Sequence, residues 1–299
     1  MTRDHPLLPY ATALAAVALF SLMDALMKGA SILAGAYSAL FLRNLIGLAL
    51  IVPLWLATRP KGGGSFWPPR RAMRVHAIRG MVASAMAFTF FWGLARVPLA
   101  EGIALSFIAP LVALYLAAIL LGERINPRAM GASLLGIVGV AVIVFGRAGA
   151  EGAHEEALLG TASILVSSML YAWNLVLQRQ QSLLAGPVEV AAFQTGMVAV
   201  VLALFAPLLF EMPGRGAWPS IGGAAVLALM AGMLLAWAYA RAEAQVLIPL
   251  EYSGFLWAAL FGWLIFAEGL NVPVMLGAVL IVAGCWIAAP RGAPEQTVV

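Results

Sequence analysis

A chain of 299 residues with 63% hydrophobic and only 10% charged residues does not have the composition of a water-soluble domain. Its mean hydropathy of +0.98 points to an integral membrane protein, and its net charge of +4 is small enough to need no nucleic-acid partner. The single Cys285 excludes an internal disulfide, and His5, His76 and His154 are too dispersed for metal-ligand spacing, so neither metal nor cofactor is expected.

In chain order, apolar stretches long enough to span a bilayer, about 20 residues each, lie at 8–29, 35–57, 76–96, 99–121, 127–146, 157–178, 187–210, 219–240, 244–267 and 271–289. They are continuous and rich in Ala, Leu and Gly, which favours helices over the alternating strands of a barrel. The first stretch runs through Asp24 to Lys28 without a small-residue cleavage site, so it is read as a span and not as a signal peptide. With the N-terminus inside, most Lys and Arg fall on the inner side, leaving only Lys28, Arg96, Arg147 and Arg215 outside and Arg43 within the second span. Both termini of this multi-pass membrane protein are therefore expected in the cytoplasm. The longer inner connection 58–75 carries Gly62-Gly63-Gly64 and Arg70-Arg71; it follows no strand and opens no phosphate-binding helix, which disfavours an ATP-driven pump.

The second half repeats the first. Trp92 and Arg96 recur as Trp237 and Arg241, and Glu123 recurs as Glu268 at the same offset. Pro127 and Gly131 return as Pro273 and Gly277 after a one-residue insertion. Each half (8–146 and 157–289) holds five spans, and an odd number makes the second copy enter the membrane from the opposite face. The expected fold is all-α: ten transmembrane helices in two inverted five-helix repeats, one transport domain with a site between the halves.

Polar residues inside the spans mark candidate positions, because a charge at the bilayer centre costs at least about 2.5–3.5 kcal/mol on insertion scales. Ser21, Asp24 and Lys28 share one face of span 1, with Asp24 and Lys28 four apart and able to pair. Tyr171, Asn174 and Gln178 occupy the corresponding positions of span 6, extended one turn by Ser167, and Asn44 corresponds to Gln194. Asp24 and Arg43 are the deeper charges; Lys28, Arg96 and Glu101 lie near span ends, where interfacial or mutual pairing explains them equally well. Glu251 in span 9 either binds a cationic group, carries a coupling proton, or is a structural carboxylate held by Arg241 or Arg179. Phe88, Trp92 and Tyr252 are ring candidates for a flat or cationic substrate, packing being the alternative. Pro110 and Pro249 are hinge candidates. The glycines at 131, 136, 139, 277 and 284 are read as close-packing positions.

Several runs carry a family resemblance: Ala104-Leu105-Ser106-Phe107-Ile108-Ala109-Pro110 with Leu121-Gly122-Glu123-Arg124, and Pro249-Leu250-Glu251-Tyr252 with Phe266-Ala267-Glu268. Met23-Asp24-Ala25-Leu26-Met27-Lys28 and Phe41-Leu42-Arg43-Asn44 add to them. In this order the chain resembles the EamA family of the drug/metabolite transporter superfamily, ten-helix type. Its branches carrying S-adenosylmethionine or riboflavin look nearer, and the amino-acid exporters more distant. The resemblance implies a central cavity formed mainly by spans 1, 3, 4, 6, 8 and 9, with spans 5 and 10 structural. Leu250-Glu251-Tyr252-Ser253 departs from it, since many members have proline directly after that glutamate and here proline precedes it.

The expected function is a secondary transporter, using alternating access at a central cavity between the repeats to move a small organic metabolite, an amino acid or similar zwitterionic or aromatic molecule, across the cytoplasmic membrane. The alternatives within the fold are S-adenosylmethionine, riboflavin and organic cations or drugs. An intramembrane enzyme lacks a concentrated catalytic set here, and a channel lacks a repeated filter. The expected partners are the substrate, membrane lipid and a coupled proton or other ion, with the chain a monomer or homodimer.

Overall fold

A backbone crossing a bilayer must satisfy its hydrogen bonds internally, and the described residues do so with helices alone. The structure is a computed structural model; it describes residues 7–58, 67–121, 127–148, 155–182, 184–239, 241 and 250–288. The helices are α1 (Leu8–Ala34), α2 (Ala36–Thr58), α3 (Arg70–Leu94), α4 (Leu99–Ser106), α5 (Ala109–Leu121) and α6 (Pro127–Ala148). They continue as α7 (Glu155–Ser182), α8 (Pro187–Leu209), α9 (Trp218–Tyr239), α10 (Gly254–Phe266) and α11 (Val272–Ala288). Among the described residues, six helices are long and apolar enough to cross a membrane, and four shorter apolar ones accompany them. Gly35 alone separates α1 from α2; its φ of 75° is the left-handed conformation that a side chain disfavours, so the chain reverses within one residue.

The molecule is apolar outside and carries buried polar residues among its apolar core. Leu208, Ile119, Phe145, Leu204, Trp263 and Val279 stand exposed, a surface that suits lipid and would drive aggregation in water. Lys28, His76, Arg79, Glu101, Asn174 and Gln181 are buried. The principal packings join the ends of the chain to its middle: α1 lies on α9, α3 on α7, α2 on α8 and α6 on α11. Gly139 and Gly277 make the last of these possible. A Cβ on Gly139 would come within 2.7 Å of the Gly277 carbonyl oxygen, and one on Gly277 within 2.6 Å of the Gly139 oxygen.

Spans 4 and 9 differ from the continuous helices expected. Span 4 breaks at Phe107 and Ile108 into α4 and α5, with Phe107 N–H turning back to Ala104 O at 3.2 Å and Ile108 N–H to Leu105 O at 3.3 Å. Pro110 follows at once; it has no N–H to return to the Ser106 carbonyl, so the helix cannot close over the break. Span 9 turns at Tyr252 and Ser253 before α10 begins, with Ser253 N–H on Leu250 O at 3.0 Å. The two breaks stand 145 positions apart (252 − 107), the offset that separates Trp92 from Trp237 (237 − 92). The Phe107 and Tyr252 rings meet edge to face with centroids 5.2 Å apart.

Candidate functional site

Five helical segments bring opposite charges to the middle of this bundle. Asp24 comes from α1, Arg43 from α2, Arg79 from α3, Tyr171 from α7 and Glu251 from the helical residues just before the turn at Tyr252 and Ser253. The charges of Asp24 and Arg43 act on each other, and those of Glu251, Asp24 and Arg79 all act on the Tyr171 hydroxyl. Asp24, Arg43 and Tyr171 are half-buried. The Arg43 guanidinium lies 5.4 Å from the Phe91 ring and donates to Met23 Sδ at 3.5 Å. Ser21 Oγ donates to the Gly254 carbonyl at 3.3 Å, tying α1 to the start of α10 beside Glu251. The site thus combines two carboxylates, two guanidiniums and a phenol, a set able to hold a molecule carrying both signs of charge.

The polar stripe of α7 meets a residue that sequence reading assigned to the inner loop flank. Arg79 is buried in α3, donating from Nε to Asn174 Oδ1 at 3.1 Å, from Nη2 to Gln178 Oε1 at 3.0 Å, and from Nη1 to Gln181 Oε1. Gln181 also bonds His76 Nδ1, and His76 Nε2 stands 3.6 Å from Glu189 Oε1 on α8. The His76 ring stacks on Phe193 at 4.8 Å. The available signal was spacing: His76 and Arg79 are three apart, and Asn174, Gln178 and Gln181 continue one face of α7 at i, i+4, i+7.

At the other end of α1, Lys28 pairs with Glu268 rather than with Asp24. Lys28 Nζ also donates to the Val97 carbonyl at 2.5 Å, and Glu268 Oε2 accepts from the Leu99 N–H at 2.7 Å. One ion pair thereby fastens α1, the α3–α4 turn and the end of α10 together. The Ala267 backbone, at φ 54°, turns the chain so that Glu268 can fold back.

The remaining candidates are placed as follows. Asn44 is buried on α2 and donates from Nδ2 to the Leu40 carbonyl at 2.8 Å. Phe88 joins the apolar cluster of α1, α2 and α3, edge to face with Tyr37 at 6.4 Å. Trp92 lies under the Arg96 guanidinium at 3.6 Å, and its carbonyl accepts from Arg96 Nη1 at 2.9 Å. Trp237 and Arg241 repeat that arrangement at 4.1 Å and 3.3 Å. Tyr252 faces Phe107 at the helix breaks. Ser167 Oγ donates to the Met86 carbonyl at 2.8 Å, which binds α7 to α3. Pro110 opens α5, whereas Pro249 and Glu123 fall outside the described residues. Of the two arginines considered as holders of Glu251, Arg241 is exposed and lies on Trp237, and the Arg179 side chain is outside the described residues.

With this geometry in place, the profile of the EamA-like transporter family matches the chain twice, over residues 7–145 and 158–289. The pseudopaline exporter of Pseudomonas aeruginosa is 28% identical over 270 residues, covering 89% of this chain and 90% of that one. The riboflavin transporter of Vibrio cholerae is 28% identical over 216 residues, covering 69% and 68%. The aromatic amino acid exporter of Ancylobacter novellus is 29% identical over 255 residues, covering 83% and 75%. A solved crystal structure at 21% identity superposes with a TM-score of 0.62, covering 95% of this chain and 98% of the other, which establishes a shared fold.

Proposed function

Because the chain belongs to the EamA-like transporter family, we propose that it is a secondary carrier. Its cargo is a small organic metabolite bearing both charges or an aromatic ring, moved across the bacterial inner membrane. The observation that carries this reading is the electrostatic coupling of Asp24 with Arg43, and of Asp24, Arg79 and Glu251 with Tyr171, inside the protein. A carboxylate pair answers an ammonium group, a guanidinium answers a carboxylate or phosphate, and the cost of keeping all four in the membrane requires a use for them. An aromatic cargo is in keeping with riboflavin and aromatic amino acids, the cargo named for two relatives.

The carrier works by alternating access between two inverted five-helix repeats. Several observations support the repeat. The family profile matches each half separately, both halves break their fourth helix at the same offset, and both stack an arginine on a tryptophan one turn back. The packing is also unchanged when the halves are exchanged, since α1 on α9 becomes α7 on α3. With both termini cytoplasmic, the Lys28–Glu268 pair closes the outer end.

A thermal-shift screen of the purified protein tests the cargo class. Amino acids, riboflavin, S-adenosylmethionine and simple organic cations are compared. A rise in Tm with a zwitterionic or aromatic metabolite, absent in Asp24→Asn, is the expected outcome. Stabilisation by none of them, or equal stabilisation of the variant, removes the reading of the cluster as the binding site.

A further inference from the structure

The buried triad of Arg79, Gln181 and His76 lies beyond the central cluster, and its hydrogen-bond logic fixes more than its geometry. A guanidinium has only N–H donors, so the Gln181 atom that faces Arg79 Nη1 is the carbonyl oxygen. The other amide atom, the NH₂ group, then faces His76 Nδ1. Nδ1 must accept and therefore carries no proton. The hydrogen of the neutral ring sits on Nε2, directed at the Glu189 carboxylate 3.6 Å away. Arg79 thus dictates the tautomer of a histidine with which it shares no hydrogen bond.

A second proton on His76 can only go to Nδ1, where it confronts the NH₂ group of Gln181. Turning that amide over satisfies the imidazolium but points NH₂ at Arg79, again donor against donor. Protonated His76 and the Arg79–Gln181 bond are mutually exclusive. The charged groups acting on the ring are Glu189 from α8 and Arg79 from its own helix. Among the described residues, the other neighbours are neutral: Gln181 on α7, the Phe193 ring stacked on the imidazole, and Trp55 of α2 against Phe193. The imidazole itself is fully buried, whereas the Glu189 side chain keeps 33% of its surface exposed.

We propose that His76 is a proton-binding site whose occupancy is read by Arg79 through Gln181, so that proton uptake at Nδ1 releases one of the three hydrogen bonds by which Arg79 holds α7. Arg79 then holds α7 only through Asn174 and Gln178, and its guanidinium gains freedom beside Tyr171. Resting on the carrier reading above, this makes the proton a coupled ligand: its arrival changes the arginine that serves the central site, and its departure to water restores the clamp.

The test is ¹⁵N NMR of the full chain in lipid nanodiscs, labelled at histidine and arginine. His76 is assigned by the loss of its signal in His76→Asn, whose Oδ1 still accepts from Gln181. The expected result is an Nε2–H tautomer for neutral His76 and an Arg79 Nε–H resonance that shifts with the midpoint of the His76 titration. That arginine shift is lost in both His76→Asn and Gln181→Met. An Nδ1–H tautomer, an Arg79 resonance indifferent to His76, or a shift that survives in Gln181→Met overturns the proposal. Counterflow on the same preparation separates the two claims. Linked titration without saturable exchange upholds the proton site and defeats the carrier, and exchange without linked titration does the reverse.

Discussion

Asp24 and Arg43 sit on neighbouring helices at a depth where either charge alone carries a large insertion cost, and each offsets part of the burial cost of the other. Glu251 enters the same field through Tyr171. Glu251→Gln is expected to lower transport at least about tenfold, or to remove its pH dependence, at unchanged expression; a tenfold loss corresponds to about 1.4 kcal/mol of lost stabilisation. Flux equal to the parent at every pH would exclude Glu251 from the mechanism. Arg79 has a different task, since three amide oxygens converge on one planar fork. A lysine has three donors but no fork to span them, so Arg79→Lys should not rescue what Arg79→Met loses. Each orphaned buried acceptor costs about 1–3 kcal/mol, and thermal unfolding in detergent reads the sum. Asp24, Arg43 and Glu251 were legible in the sequence because a charge inside an apolar run stands out. Arg79 was not, because it lies where loop arginines are expected, and only its partners on α7 reveal that it points inward.

At the scale of elements, the Lys28–Glu268 pair does for α1 and α10 what no local interaction could, joining residues 240 positions apart. Lys28→Met leaves Glu268 without its cation, and breaking such a pair costs about 3–5 kcal/mol. Lower thermal stability is expected, with part of it recovered in the exchanged pair Lys28→Glu with Glu268→Lys. The α6–α11 contact rests on the absence of side chains: Gly139→Leu forces the helices apart and should cost about 1–3 kcal/mol in unfolding free energy. The helix breaks show the limit of reading elements from sequence. Pro110 announces the first break, but the second, at Tyr252 and Ser253, has no proline at its own position, and apolar continuity made both spans look unbroken. The repeat offset was the signal that places one break from the other.

For the whole molecule, composition and the order of apolar runs were enough to expect a helical membrane protein, because lipid leaves the backbone few choices. Long-range pairing was not legible. Whether Lys28 would meet Asp24 four residues away or Glu268 across the fold depends on how α1 lies against α10, which spacing along one helix does not encode. The central claim is that this bundle is a carrier whose interior charges bind its cargo, and counterflow into proteoliposomes tests it most directly. The parent protein should exchange a zwitterionic or aromatic metabolite saturably, and the combined Asp24→Asn, Glu251→Gln variant should lose that exchange while remaining folded. Unsaturable flux, chemical conversion of the cargo, or undiminished exchange in the combined variant would contradict the account.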